Sequence, residues 1–449
     1  MRWAINRKSQ YAASFSAMII SVCSGLHFGW SSPYVPLLLS RNSTVPMNEE
    51  ESSWIAYVYI MGCPCGALAT GLILDAIGRK TALLASSIPF IVSWLLIACA
   101  RTLSQLLTAR FIAGFSEGCI FGATPIYLTE IIDKEVRGFV CSFVTISVLF
   151  GVVIINILGT FLSVQSSALV GVFFPLTFIS IFMWMPESPN YFLMKNKRED
   201  ARKSLMILRE TSDVEKELEE MIKSVEEERS VKFSYLLKAK VQRKSLLMIM
   251  GLRGGQQLSG VVAFIFYAQT LFEEISDIVS PLVFVIILYG VQIFCSIASS
   301  VFVDKWGRRP LLIVSLCVVG VILFTEGGFF FLRDYEIVDT IDMEWIPIGG
   351  MIVVVMAFGI GMQAIPLFIA GEIFPTKIRA YASALSDVCY FLFAFVASKC
   401  FQLTRYYGLY LPFLIFGFCT IIGLIVTISF VPETKNKTLK EIQVGLKNS

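Results

Sequence analysis

The stretch Asp75-Ala76-Ile77-Gly78-Arg79-Lys80 decides how this chain is read. It separates two apolar runs, near 54–74 and 81–100. Asp304-Lys305-Trp306-Gly307-Arg308-Arg309 repeats it between runs near 280–303 and 310–332. An acid, two spacers, a glycine and two bases thus occur at comparable points of two halves. The glycine permits a tight reversal. The charges are costly in hydrocarbon, so the reversal belongs at a membrane face.

The composition agrees. Mean hydropathy is +0.72. Hydrophobic residues make up 56% of the 449 and charged residues only 16%. A water-soluble chain of this length needs far more polar surface. A net charge of +3 is small for the length and speaks against a nucleic-acid partner. The eleven cysteines sit almost wholly in apolar runs and are expected to be free, buried thiols. Cys63-Pro64-Cys65 lacks the spacing of a redox or zinc pair. No metal cluster, nucleophile triad or phosphate loop is legible, so neither an enzyme nor an ATP-driven motor is expected, and no cofactor.

Twelve apolar runs are legible, near 11–35, 54–74, 81–100, 104–128, 138–162, 168–185, 246–271, 280–303, 310–332, 345–371, 381–402 and 409–431. Runs approaching about 20 apolar residues can span a bilayer. The expected fold is an all-α membrane protein: twelve transmembrane helices in two six-helix pseudo-symmetric halves, with a cytosolic helical linker. The halves are residues 1–194 and 246–449, and the linker is 195–245. Within the linker, Glu199–Arg209 and Asp213–Arg229 read as amphipathic helices with a solvated charged face. The basic start reads as the beginning of an uncleaved first helix.

Charge assigns the loops to sides. One set holds Arg79, Lys80, Lys134, Arg137, the linker, Lys305, Arg308, Arg309, Lys377 and Arg379. The other holds Glu49 to Glu51, Glu273, Glu274, Asp334 and Glu336, with few bases. The positive-inside rule places the first set, and both termini, in the cytosol. Asn42-Ser43-Thr44 then falls outside, where a glycosylation acceptor belongs. Asn436-Lys437-Thr438 has the same pattern on the cytosolic side and is discounted.

The repeat extends further. Glu130 precedes Arg137 by seven residues, as Glu372 precedes Arg379; Pro186-Glu187-Ser188 closes the sixth run, as Pro432-Glu433-Thr434 closes the twelfth. Such order implies parallel repeats, an arrangement of alternating-access carriers. The charges Asp75, Arg79, Glu130, Arg137 and Glu187, with Asp304, Arg308, Glu372, Arg379 and Glu433, are expected to form a cytosolic gate that holds the inner faces together while the outer side is open. The alternative is topogenic charge and ordinary helix capping. In the seventh run, Gln256 and Gln257 are adjacent amides, each with donors and acceptors. A sugar hydroxyl is also donor and acceptor, so such a pair suits it without charge. Gly260 lets the helix bend there.

The motifs together resemble the sugar porter family of the major facilitator superfamily, in the style of insect facilitated trehalose transporters and animal glucose facilitators. The residues that carry the likeness are the two hinges; Arg110 with Gly114 and Gly118; Glu130 to Arg137; Pro186-Glu187-Ser188-Pro189; Gln256-Gln257-Leu258-Ser259-Gly260; Glu372-Ile373-Phe374-Pro375 to Arg379; and Pro432-Glu433-Thr434-Lys435. The resemblance covers nearly the whole chain. It implies that Gln256 and Gln257 bind the sugar and that Gln292 adds a polar contact. Asn156 falls where the family has glutamine, and Tyr267 is a candidate lining residue. Val262 departs from the usual asparagine. Gly361 to Leu367 loses the aromatic platform of the tenth helix and brings a new amide, Gln363. Asp387, Cys389 and Tyr390 stand where an asparagine and an aromatic are usual.

Charges inside spans are functional suspects. Arg110 fits the family pattern, whereas Glu117, Arg253, Glu326 and Asp387 do not. Arg253 lies one turn before Gln256 and is expected to touch substrate or to pair with Asp387 or Glu326. Proton-coupled relatives place an aspartate after the Gly-aromatic pair of the first helix. Here Gly29-Trp30 is followed by Ser31, which favours facilitated diffusion. His27, the one histidine, reads as a packing residue. The expected activity is facilitative transport of a hexose, a trehalose-like sugar or a polyol at the plasma membrane, by a monomer in contact with lipid. A proton-coupled symporter using Glu117, Asp387 or Glu326, or a nutrient receptor that does not turn over, are the alternatives.

Overall fold

The structure, a computed structural model, describes residues 8–40, 43, 45–133, 136–228, 239–268, 271–272, 280–337, 343, 345–374, 376–435, 437 and 441–442. Helices α1 (Lys8–Gly29) and α2 (Ser31–Leu39) make the first crossing. They are followed by α3 (Glu49–Ile77), α4 (Arg79–Cys99), α5 (Leu103–Ile131), α6 (Arg137–Phe161) and α7 (Val164–Phe182). Three shorter helices come next: α8 (Pro189–Met194), α9 (Arg198–Arg209) and α10 (Glu215–Glu228). The chain continues with α11 (Lys240–Leu258), α12 (Val261–Phe266), α13 (Pro281–Trp306), α14 (Arg308–Asp334), α15 (Trp345–Ala357), α16 (Ile365–Ile373), α17 (Thr376–Arg405) and α18 (Tyr410–Phe430). The described residues contain no strand. Among the described residues, eleven spans are long and apolar enough to cross a membrane. The remaining crossing is α11 with α12, which is broken in two and carries Arg253, Gln256 and Gln257. Large apolar side chains point outward all round: Leu72 is 81% exposed, Phe161 75% and Phe294 71%. Such a surface is stable against hydrocarbon and not against water.

Helix α3 runs past its apolar run, 54–74, at both ends, where polar residues continue the winding. Asn48 starts α3 with a reciprocal cap: its Oδ1 accepts from Glu51 N at 2.7 Å while Glu51 Oε2 accepts from Asn48 N at 2.9 Å.

The two hinges are alike in detail. Gly78 has φ 99° and ψ 161°; Gly307 has φ 94° and ψ 164°. Each glycine ends one helix and starts the next. Glu187 Oε1 accepts from the backbone N–H of Arg79 (3.0 Å) and Lys80 (2.9 Å). Glu433 accepts likewise from Arg308 (3.1 Å) and Arg309 (3.0 Å). The second base closes the far end: Lys80 Nζ reaches the Met183 carbonyl at 2.7 Å, and Arg309 Nη2 the Ile428 carbonyl at 2.6 Å. A carboxylate over orphan N–H groups at a helix start is favourable twice, by hydrogen bond and by dipole.

Burial alone would push the Glu433 carboxyl up. The four backbone N–H donors of Lys435, Arg308, Arg309 and Thr434 outweigh it and hold the group below the ordinary glutamate range. A depressed carboxylate stabilises the fold above its unfolded pKa, and that benefit disappears as pH falls through the folded value. The thermal-stability advantage of the parent over Glu433→Gln should therefore be full at neutral pH and vanish below the ordinary glutamate range. An advantage that grows on acidification would refute this.

Close approach of backbones sets the packing of α3 on α5. A Cβ at Gly62 or Gly66 would strike the carbonyls of Phe111 or Phe115, and one at Gly114 or Gly118 those of Tyr59 or Cys63. Gly25 meets α6 in the same way, at Val148 and Gly151. Small residues give membrane helices this proximity.

Two expectations need correction. All ten described cysteines are free, but Cys65, Cys99 and Cys317 are exposed, because their helix faces turn to lipid, where a thiol is as acceptable as an alkyl group. The charged face of α9 is also not wholly solvated. Arg209 is 8% exposed and donates to the Ile131 carbonyl at the end of α5 (2.9 Å) and to Gln10 (3.1 Å), with Asp133 and Glu217 as ion partners. The unpaired carbonyls of a helix C-terminus supply the need for that donor.

Candidate functional site

Helix α11 ends where Ser259 and Gly260 interrupt it. Gly260 has φ 83°, and the Phe416 ring occupies the place of a Cβ. The break keeps Gln256 and Gln257 buried, at 4% and 1% exposure, at the end of a free helix turn. Across from them, α15 widens into one π-helical turn, Phe358–Met362, which delivers Gln363. Gln256 Nε2 donates to the Gln363 carbonyl at 3.1 Å. Gln363 Oε1 accepts from Ser296 Oγ at 3.0 Å and from Gln292 Nε2 at 3.4 Å. Gln256, Gln292 and Gln363 therefore form one connected polar cluster, with Gln257 beside it. Among the described residues, Gln257 Oε1 and Gln292 Oε1 have no hydrogen-bond partner. A buried carbonyl without a donor is expensive, which marks a place for a hydroxyl or water.

Arg253 pairs with Asp387 at 2.8 Å, with side chains 3% and 8% exposed. Its Nη1 also donates to Gln256 Oε1 at 3.2 Å. The guanidinium lies over Tyr390 (4.2 Å) and Phe121 (5.5 Å). Of the two partners open to Arg253 in the sequence, it meets Asp387 and not Glu326. Neither oxygen of Glu326 has a hydrogen-bond partner among the described residues.

The other candidates have partners of their own. Asn156 Nδ2 donates to the Val152 carbonyl one turn back in α6, at 2.8 Å. Tyr267 stacks on Phe401 at 5.4 Å and belongs to a second polar group at the face opposite the hinges. There Tyr57 hydroxyl donates to Gln402 Oε1 at 2.5 Å, Gln402 Nε2 meets Ser53 Oγ, and Lys399 Nζ donates to Gln402 at 2.9 Å while lying 4.8 Å over Tyr57. These contacts join α3 to α17 and close that face. Sequence reasoning missed them, although Ser53 and Tyr57, and Ser398 and Gln402, stand four apart on one helix face.

Arg110 is fully buried. It donates to the carbonyls of His27 (2.8 Å) and Ile55 (3.3 Å) and to Ser31 Oγ (3.3 Å), and its cation sits 4.3 Å over Tyr59. It forms no ion pair among the described residues. His27 is buried and stacks on Phe90 (4.6 Å) and Trp94 (4.0 Å). Glu117 is 6% exposed and neighbours Ser24 and Tyr59.

At the hinge face, Arg79 bridges Asp75 (2.9 Å) and Glu130 (2.9 Å), and Ser188 Oγ also meets Glu130. Arg308 pairs with Glu372 at 3.0 Å. In this conformation these pairs join helices of the same half. The side chains of Arg137, Asp304 and Arg379, and Asn42 altogether, lie outside the described residues.

The family model described as "Sugar (and other) transporter" matches residues 12–446. A facilitated trehalose transporter of Culex quinquefasciatus is 31% identical over 441 residues, covering 97% of this chain and 85% of that protein. One of Drosophila virilis is 32% identical over 442 residues, covering 97% of this chain and 48% of that protein. The chain spans about half the length of most of the curated relatives it matches. Among solved structures, the proton:xylose symporter XylE of the major facilitator superfamily, bound to 6-bromo-6-deoxy-D-glucose, aligns with TM-score 0.81 at 20% identity over 98% of this chain and 100% of that one. A partially occluded inward-open form of XylE from E. coli gives 0.79 at 19% identity, over 96% and 100%.

Proposed function

From the premise that this chain belongs to the sugar transporter family, we propose that it carries a neutral sugar or polyol across the plasma membrane by facilitated alternating access. Residues 1–194 and 246–449 are the two moving halves and 195–245 the linker. The hinge face and both termini are cytosolic. The observation that carries the reading is the set of three buried amides, Gln256, Gln257 and Gln292, joined by the half-buried Gln363, with two of the buried carbonyl oxygens unpartnered among the described residues. Uncharged groups that both give and accept match hydroxyls and repel neither ring nor water. Their place by a broken helix is where carriers built from repeats bind substrate.

The Ser53, Tyr57, Gln402 contact closes the outer face, and its release would open it. The ten hinge-face charges hold the inner face shut in that opposite state. Single wet ion pairs are weak, but a network can bias two states by a few kcal/mol. The resting of Arg110 on Ser31 and two carbonyls supports transport without a proton partner at that point.

The test is uptake of labelled D-glucose, D-xylose, trehalose and myo-inositol into proteoliposomes, with and without a pH gradient. At least one should enter, independent of the gradient. Gln257→Ala should lower its uptake by about ten- to a hundredfold, from the hydroxyl left unpaired. Gradient-driven accumulation would make the protein a symporter. Binding without flux would make it a receptor, and full activity in Gln257→Ala would remove the amides from the site.

A further inference from the structure

We propose that Arg253 and Asp387 are a positioning pair: they lock the Gln256 amide with its oxygen toward Arg253, so that its free N–H faces the substrate as a donor beside the unpartnered Gln257 Oε1. The proposal rests on the amide site proposed above.

Arg253 has donors and no acceptor. The Gln256 atom facing its Nη1 at 3.2 Å must therefore be the amide oxygen, since the flipped amide would set N–H against N–H. Arg253 cannot easily turn away. Asp387 holds Nη2 at 2.8 Å, and the guanidinium plane is covered by Tyr390 and Phe121. One Gln256 N–H is spent on the Gln363 carbonyl, which leaves the other N–H, and the amide oxygen is turned toward Arg253. The next residue is complementary, because Gln257 Oε1 has no partner among the described residues. The site thus presents a donor beside an acceptor. It fits two hydroxyls of one sugar ring, the first accepting and the second donating. Asp387 cancels the Arg253 charge, so the orienting cation does not convert the cavity into an anion site. A fixed amide also spares the substrate the entropy of ordering it.

Uptake is measured with D-glucose, D-xylose and trehalose and with their single deoxy and deoxyfluoro analogues. Fluorine accepts weakly and cannot donate; hydrogen does neither. At one ring position the parent protein should favour the deoxyfluoro over the deoxy sugar by about three- to tenfold in KM. Arg253→Met should bring that ratio close to one, because the amide becomes free to turn. The double variant Arg253→Met/Asp387→Asn removes both charges and gives the same result if a lone Asp387 unfolds the single variant. Arg253→Lys, which keeps a donor, should restore part of the ratio. A merely structural role would raise both KM values together and leave the ratio alone. A ratio kept in both Arg253→Met proteins but lost in Gln256→Ala overturns the positioning role only. A ratio that survives Gln256→Ala, or is absent from the parent, overturns the amide site as well.

Discussion

Arg110→Ala is expected to destabilise the protein by about 3–5 kcal/mol, from a cavity left in a packed interior and buried acceptors left without a donor. Arg110 is 0% exposed and ties three segments together: the end of α1 through the His27 carbonyl, α3 through the Ile55 carbonyl, and the start of α2 through Ser31. The His27 carbonyl is the critical one. The helix irregularity at Trp30 weakens its backbone partner, a 3.4 Å contact from Trp30 N, so the guanidinium at 2.8 Å is its main donor. The cation also rests on the faces of Tyr59 and Trp30, at 4.3 and 5.3 Å. Arg110→Lys should recover only part, since one ammonium cannot meet three acceptors in fixed directions. Thermal unfolding in detergent, followed by intrinsic fluorescence, measures this. Parent-like melting of Arg110→Ala would show that the contacts are incidental.

Gly78→Ala and Gly307→Ala should each cost about 2–4 kcal/mol, combining backbone strain of about 1–3 kcal/mol with a weakened helix cap. Positive φ with extended ψ is close to glycine-only territory. The space is also taken: a Cβ on Gly307 would lie 2.8 Å from Glu433 Oε2, and one on Gly78 would strike Glu187. The substitution therefore disturbs the carboxylate that caps the next helix. Adding Glu433→Ala to Gly307→Ala should cost less than the two single losses combined, because the first change has already loosened the cap. Strict additivity would separate the two causes. Transport should fall in step with stability, since these hinges orient α3 against α4 and α13 against α14.

Much of the architecture was legible in the linear chain. Hydrocarbon imposes a simple grammar of apolar length, flanking charge and a glycine at the reversal. The two hinges write that grammar twice. The Gly78 and Gly307 hinges, their acidic partners Glu187 and Glu433, and the adjacent Gln256 and Gln257 stand out for that reason. Reading α9 as a solvated surface missed Arg209 alone of its arginines, because amphipathic spacing shows that a face is charged, and not that Arg209 dips to the open end of α5.

What order of residues alone settled is the helical class, the repeat and the family, because each depends on local spacing and on the solvent a helix must face. Only the folded arrangement decided that Arg253 meets Asp387 rather than Glu326, that Gln363 joins Gln256 and Gln292, and that Ser53 and Tyr57 close against Gln402. Those contacts link residues more than a hundred positions apart, or depend on one π-helical turn that rotates a side chain. Helix packing and local winding set such meetings, and neither has a signature in periodicity.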